Sequence, residues 1–339
     1  MEITSNLSLK ELNTFGLDIH ASHYCIIHTV DELRELIKME QAQGLPKLIL
    51  GGGSNMLFTE DYRGLIIHNQ IMGISIASET DDHVLICTGG GVNWHNFVLY
   101  CVDHGYGGIE NLALIPGCVG AAPIQNIGAY GVEIKDTFYK LTAVELNNGS
   151  IHQFSREECQ FGYRDSIFKR EAKNKFIIVD VTFKLSKHPQ LNMSYGAIAN
   201  QISESNIVNP TIKDVCNTVI VIRKSKLPDP KEIGNAGSFF KNPEIPIGQF
   251  EKLKEKFPDV VGYQAHHDKM KVAAGWLIEK SGWKGKRIGN VGMHDKQALV
   301  LVNYGNATGE ELIAHARKVK AGVMNDFGID LEMEVNIIS

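Results

Sequence analysis

The segment Pro116-Gly117-Cys118-Val119-Gly120-Ala121-Ala122-Pro123-Ile124-Gln125-Asn126-Ile127-Gly128-Ala129-Tyr130-Gly131 constrains this chain more than any other, because it carries no charged side chain and is dense in glycine, alanine and proline. With so little side chain in the way, its backbone can approach a large flat partner closely. Two readings stand side by side: a tight packing corner between elements, or a wall of a ligand site. A second glycine-rich loop, Gly51-Gly52-Gly53-Ser54-Asn55, follows the short apolar strand expected at Lys47 to Leu50. A strand that ends in glycines presents several backbone N–H groups to one concave spot, which suits a pyrophosphate. The loop is not GxGxxG and no P-loop lysine follows, so taken alone it reads as a plain loop. Two such loops in one chain tilt the balance toward a dinucleotide cofactor.

At 339 residues the chain exceeds one ordinary core, and two or three domains are expected. Hydrophobic content of 43% and charged content of 22% describe a folded globular protein and argue against disorder or a coiled coil. A net charge of -5 gives no basic field for a phosphate backbone, so nucleic-acid binding is not expected. No apolar run approaches the roughly 20 residues that span a bilayer. The start, Met1 to Lys10, has no secretory pattern, and the six cysteines form no CxxC pair. Reduced thiols, a cytoplasmic location, no membrane partner, no metal and a monomer are the expectations.

Along the chain, Asp31 to Gln43 places Leu33, Leu36 and Ile37 on one helical face, with Asp31 as the expected N-cap. Strands are expected at Gly64 to His68, His83 to Thr88 and Phe176 to Leu185, and a helix with Trp94, Phe97, Val98 and Cys101 on one side. Asn147-Asn148-Gly149 joins Leu141–Leu146 to Ser150–Phe154 as a hairpin. Thr211 to Arg223 has helical spacing, and Lys226-Leu227-Pro228-Asp229-Pro230 breaks it. Helices near Lys271–Lys280 and Gly309–Phe327 and a strand at Ala298–Val302 follow. The end alternates, with Ile329, Leu331, Met333, Val335 and Ile337 on one face.

Three further places could carry chemistry. In Phe161-Gly162-Tyr163-Arg164-Asp165-Ser166 the arginine can clamp a carboxylate or phosphate, or simply sit in a surface Arg164–Asp165 neighbourhood. Gly237-Ser238-Phe239-Phe240 leaves the Ser238 hydroxyl accessible but does not fit the GxSxG nucleophile elbow, so a hydrolase is not supported and a serine turn is the ordinary explanation. Glu334 is read from the alternation as an outward carboxylate. The pair His266-His267 has no metal-ligand spacing around it.

Taken in order, Asn13-Thr14-Phe15, GGGSNMLF from Gly51, NLALIPGCVGAAPIQNIGAYGVE from Asn111, FGYRDSIFK from Phe161, KLPDP from Lys226, NAGSFFKNP from Asn235, AAGWLIE from Ala273 and LEMEV from Leu331 resemble the UDP-N-acetylenolpyruvoylglucosamine reductase family in its longer form, over almost the whole chain. The resemblance implies an α+β fold of the vanillyl-alcohol-oxidase-like FAD-binding kind, with FAD-binding subdomains at 1–70 and 71–225 and a substrate-binding domain at 226–339 whose terminal strand reaches the active site. It implies reduction of UDP-N-acetylglucosamine enolpyruvate to UDP-N-acetylmuramate, with NADPH as donor, in peptidoglycan precursor synthesis.

By the same resemblance Arg164, Ser238 and Glu334 are catalytic, and Tyr195, Lys226, Asn242 and Gln297 bind substrate. Cofactor contacts fall on Gly51, Gly52, Gly53, Ser54, Asn55, Pro116, Gly117, Gly120, Ala121, Ile124, Gln125, Asn126, Gly128, Ala129 and Gly131. A guanidinium at Arg164 suits negative charge developing on the substrate carboxylate, and a protonated Glu334 would polarise that carboxylate. Ser238 would deliver a proton. Two rivals remain: another FAD oxidoreductase of the same fold, and a non-catalytic nucleotide-sugar binding protein.

Overall fold

The computed structural model describes residues 1–265 and 268–339, so the pair His266-His267 lies outside the described residues. The chain divides into two compact units. One comprises Met1–Leu7, Ala21–Gly52 and Arg63–Ser225; the other comprises Ser8–His20, Gly53–Tyr62 and Lys226–Ser339.

In the first unit, a four-stranded sheet runs in the order Thr4–Ser8, His20–Ile27, Tyr62–Asn69, Lys47–Leu50. Lys47–Leu50 lies parallel to Tyr62–Asn69, with Leu50 opposite His68. The helix beside it spans Val30–Lys38 and buries Leu33, Leu36 and Ile37 among Cys25, Ile27, Leu65 and Ile67. Its cap is Thr29, not Asp31: the Thr29 hydroxyl accepts from Glu32 N at 3.1 Å while Glu32 Oε2 accepts from His28 N at 2.6 Å. The helix also stops at Lys38, short of Gln43, because Met39 turns extended and Glu40–Ala42 forms a separate 3-10 turn.

A five-stranded antiparallel sheet follows in the order Ile151–Ser155, Phe138–Glu145, Phe176–Ser186, His83–Gly89, Ile74–Glu79. Gly149 at φ 71° makes the hairpin turn that puts Leu141 opposite Phe154. The helix Trp94–Asp103 buries the four residues its spacing predicted. Trp94, Phe97 and Phe183 meet ring to ring, with centroids 5.1 to 5.8 Å apart. Each such side chain contributes about 2 kcal/mol by leaving water. The helix Ile212–Lys226 adds Val215, Cys216, Val219 and Ile222 to the same core and ends where the prolines begin.

The second unit holds a four-stranded sheet in the order Gly234–Ser238, Val300–Asn303, Val291–Met293, Arg287–Ile288. Its long helix is Gly309–Phe327, as expected. Thr308 and Glu311 form a capping box at its start, and Gly328 ends it at φ 64°. The helix expected over Lys271–Lys280 is shorter, Ala274–Lys280, since Lys269–Val272 is drawn into a ladder between Glu244–Pro246 and Gly262–Gln264. At the C-terminus Ile329, Leu331 and Val335 are buried, following the alternation, but Ile337 is 39% exposed. The regular strand there is only Asn336–Ile338, parallel to Met56–Phe58.

All six cysteines are free thiols. Burial pushes Cys159 up to about 12 and Cys216 up to about 11. Among the described residues no helix is long and apolar enough to cross a membrane, and no His, Cys, Asp and Glu cluster could hold a metal ion.

His315, 3% exposed on the long helix, packs edge-on against Trp283 at 5.5 Å. Burial, with Lys318 and Lys286 adding repulsion, lowers its pKa to about 4. The unfolded chain would therefore take up a proton near pH 6.5 that the folded chain refuses until about pH 4. This contribution to stability is complete above pH 6.5 and is lost as pH falls. Between pH 7 and 5 the protein is expected to lose about 2 kcal/mol of stability that His315→Leu does not lose, measured by urea unfolding. Identical pH dependence in both proteins would contradict this.

Candidate functional site

The two glycine-rich loops meet. A Cβ placed on Gly52 would lie 3.0 Å from Gly117 Cα, and one on Gly51 would lie 3.5 Å from Cys118 Cβ. Gly117 sits at φ 107°, a conformation that only glycine adopts without strain. The loop is anchored from behind by the first turn of the helix Trp94–Asp103. Trp94 N donates to Gly117 O at 3.0 Å, Trp94 Nε1 to Leu112 O at 2.9 Å, and His95 Nδ1 accepts from Leu114 N at 3.0 Å. Gly90 is equally confined: a Cβ there would meet Ile178 O at 2.4 Å.

Exposure sorts the expected cofactor residues. Gly52, Pro116, Ala121, Ile124 and Gly131 face solvent, and Gly51, Gly117, Gln125 and Ala129 are half-buried. Gly120, Asn126 and Gly128 are buried and act from behind the surface. The open strip is therefore small, apolar and backbone-rich, which fits a planar ring system joined to a pyrophosphate. In the second unit, a Cβ on Gly53 would fall 2.0 Å from Leu12 O, and Asn55 Nδ2 donates to Glu334 O at 3.4 Å.

Arg164 lies in the first unit, in a turn closed by Gly162 and Asp165, at φ 52°. Left-handed backbone costs a non-glycine residue on the order of 1 kcal/mol. Arg164 Nη2 donates to Gly128 O at 2.6 Å, and its guanidinium carbon lies 5.4 Å from the centre of the Tyr163 ring. The neighbouring Asp165 carboxylate is taken by Arg170. Tyr195, 39% exposed, stands edge-on to Tyr130 at 5.1 Å.

Sequence reasoning passed over Arg223. It sits on the helix Ile212–Lys226, one residue past buried Ile222 and four past buried Val219. Its Nε is sealed from solvent without a hydrogen-bond partner. Burial pulls its pKa down, the Tyr130 hydroxyl that it bonds pulls it up, and repulsion from Arg164 pulls it down again. Repulsion between two neighbouring guanidiniums is what an anionic ligand relieves. The available signal was an arginine on an otherwise apolar helical face. Lys226 is the exposed last residue of the same helix.

In the second unit, Ser238 and Glu334 come together. Glu334 N donates to Phe239 O at 2.8 Å, Lys241 N donates to Glu332 O at 2.9 Å, and Phe240 bridges Met333. Glu334 is half-buried, not the freely solvated carboxylate of the alternation reading. After Gly237 at φ 70° and a bulge between Asn235 and Ser238, Ser238 pairs with Val300 and is exposed. Asn242 Oδ1 accepts from Ala274 N at 2.9 Å, leaving its amide N–H groups to point elsewhere. Gln297 Oε1 lies 3.4 Å from where a Cβ on Gly275 would be.

Residues 21–155 match the model of the FAD binding domain family, and residues 229–338 match that of the UDP-N-acetylenolpyruvoylglucosamine reductase C-terminal domain. A UDP-N-acetylenolpyruvoylglucosamine reductase of Flavobacterium johnsoniae is 50% identical over 339 residues, covering all of both chains. One of Pseudomonas aeruginosa is 46% identical and covers 99% of each. The crystal structure of the reductase from Thermus caldophilus shares the fold, with a TM-score of 0.70 at 22% identity over all of both chains. The expected α+β fold with an FAD binding domain is borne out.

An incompletely satisfied buried cation does little for a fold. Arg223→Met is therefore expected to leave the thermal midpoint unchanged or raised. A drop of more than about 5 °C, roughly 2 kcal/mol or more, would mean that the Tyr130 pairing holds the structure.

Proposed function

The chain belongs to the UDP-N-acetylenolpyruvoylglucosamine reductase family, and from that premise we propose that it reduces UDP-N-acetylglucosamine enolpyruvate to UDP-N-acetylmuramate with NADPH, as an FAD-containing oxidoreductase of peptidoglycan precursor synthesis. The observation that carries the reading is identity of 50% to a reductase of this name across the full length of both chains. FAD, when bound, supplies the two-electron step between NADPH and the enolpyruvyl double bond. Gly51–Asn55 and the strip Pro116–Gly131 are the residues that would hold it, and the mutual approach of Gly52 and Gly117 supports that assignment.

In this reading Arg164 fixes the substrate carboxylate. Charge developing beside that carboxylate is stabilised by a guanidinium already locked on Gly128 O, so little reorganisation is needed as the charge forms. Arg223 adds a second positive charge from the side. Glu334, protonated, donates to the same carboxylate, and its backbone pairing with Phe239 fixes it beside Ser238. Ser238 passes its hydroxyl proton to the substrate carbon next to the carboxylate and is reprotonated from solvent. Tyr195, Lys226, Asn242 and Gln297 bind the nucleotide-sugar, with Lys226 paired to phosphate. Division into FAD-binding subdomains 1–70 and 71–225 and a substrate domain 226–339, a monomer, and a cytoplasmic site of action without membrane or nucleic-acid partners complete the proposal.

Stopped-flow absorbance of the purified yellow protein tests this. Wild type is expected to be bleached by NADPH and recoloured by the enolpyruvyl substrate. Ser238→Ala should bleach at the wild-type rate and recolour at least about 1,000-fold more slowly. Colourless protein that cannot be reconstituted with FAD contradicts the assigned reaction; equal loss in both steps contradicts the proton-donor role.

A further inference from the structure

The segment Ile124–Gly128 and the loop Phe161–Ser166 are laced together at three alternating positions. Ser166 Oγ donates to Ile124 O at 2.7 Å, Asn126 Nδ2 to Gly162 O at 2.9 Å, and Arg164 Nη2 to Gly128 O at 2.6 Å. The middle rung differs from the others, since its side chain comes from the glycine-rich segment. Asn126 is wholly buried, at 0% exposure, and left-handed at φ 44°, a conformation that asparagine tolerates better than most residues. The rest of its amide is also engaged: Nδ2 donates to Glu133 Oε2 at 3.0 Å, and Oδ1 accepts from Lys135 N at 3.1 Å.

Gly162, which Asn126 grips, is the residue that closes the turn around Arg164. Gly162 N donates to Asp165 O at 2.9 Å and Asp165 N returns a bond at 3.4 Å. Arg164 inside this turn is held left-handed, a conformation that persists only where the surroundings fix it. The asparagine thus reaches Arg164 from the backbone side, while Gly128 O holds the guanidinium end.

We infer that Asn126 is a positioning residue for Arg164: it ties the 162–165 turn to the glycine-rich segment and so sets where the guanidinium stands when the substrate carboxylate arrives. The inference rests on the role proposed above for Arg164. A misplacement of about 1 Å in a charge-stabilising group slows a reaction on the order of 100-fold. A residue that served folding alone would not single out the step in which that charge develops.

The test uses the FAD-loaded full chain with Asn126→Gly, whose backbone suits the left-handed conformation, and Asn126→Asp as a second variant should the first not fold. Reoxidation by the enolpyruvyl substrate is expected to slow at least about 30-fold, and at least about tenfold more than flavin reduction by NADPH. Combined with Arg164→Ala, the variant should add no further loss beyond that of Arg164→Ala alone. Independently of activity, hydrogen exchange read by mass spectrometry should speed up in peptides covering 161–166. Unchanged reoxidation, equal slowing of both steps, additive losses or unchanged exchange each overturn the inference. Wild-type protein that substrate cannot reoxidise overturns the assigned reaction and this role together; failure of the positioning role alone shows as a normal wild type beside an unaffected variant.

Discussion

The backbone-to-backbone approach of Gly52 and Gly117 is the constraint that the rest of the first unit serves. Neither loop holds that position by itself, because glycine pays more conformational entropy than any other residue when it is ordered. Order comes from outside. Trp94 bonds Gly117 O, Gly90 N bonds Val179 O at 2.7 Å, and the five-stranded sheet beneath fixes both. The core around Trp94, Phe97 and Phe183 therefore has a functional consequence: it sets the spacing of a surface that carries almost no side chains.

Charge is managed by the same means. Arg164 and Arg223 both lie in the first unit, near enough for repulsion between them to be felt, and the second is largely out of water. Holding two like charges close together is costly, and an arriving anion offsets that cost. On the second unit, the backbones of Glu334 and Phe239, the residue after Ser238, are joined by a hydrogen bond, and Phe240 bridges Met333.

What the sequence revealed follows from where the information is local. The helix Trp94–Asp103 was legible because its apolar face recurs at helical spacing. The glycine loops were legible as loops, whereas their meeting depends on residues 65 positions apart and leaves no periodic mark. Membership of Ser8–His20 and Gly53–Tyr62 in the second unit was hidden for the same reason. It rests on bonds such as Asn235 N to Thr14 O at 2.9 Å and Asn303 Nδ2 to Phe15 O at 2.9 Å. The roles of Arg164, Ser238 and Glu334 came from the family resemblance; residue pattern alone favoured a surface pair, a turn and a solvated carboxylate.

The central claim is that Arg164, Ser238 and Glu334 act on one carboxylate and its neighbouring carbon. A crystal structure of the protein with FAD and the enolpyruvyl substrate measures this directly. The guanidinium of Arg164 and the carboxyl of Glu334 should each lie about 3 Å from a substrate carboxylate oxygen, with Ser238 Oγ about 3.5 Å from the adjacent carbon. Any one of the three found more than about 6 Å away, too far for a direct hydrogen bond, would contradict the account.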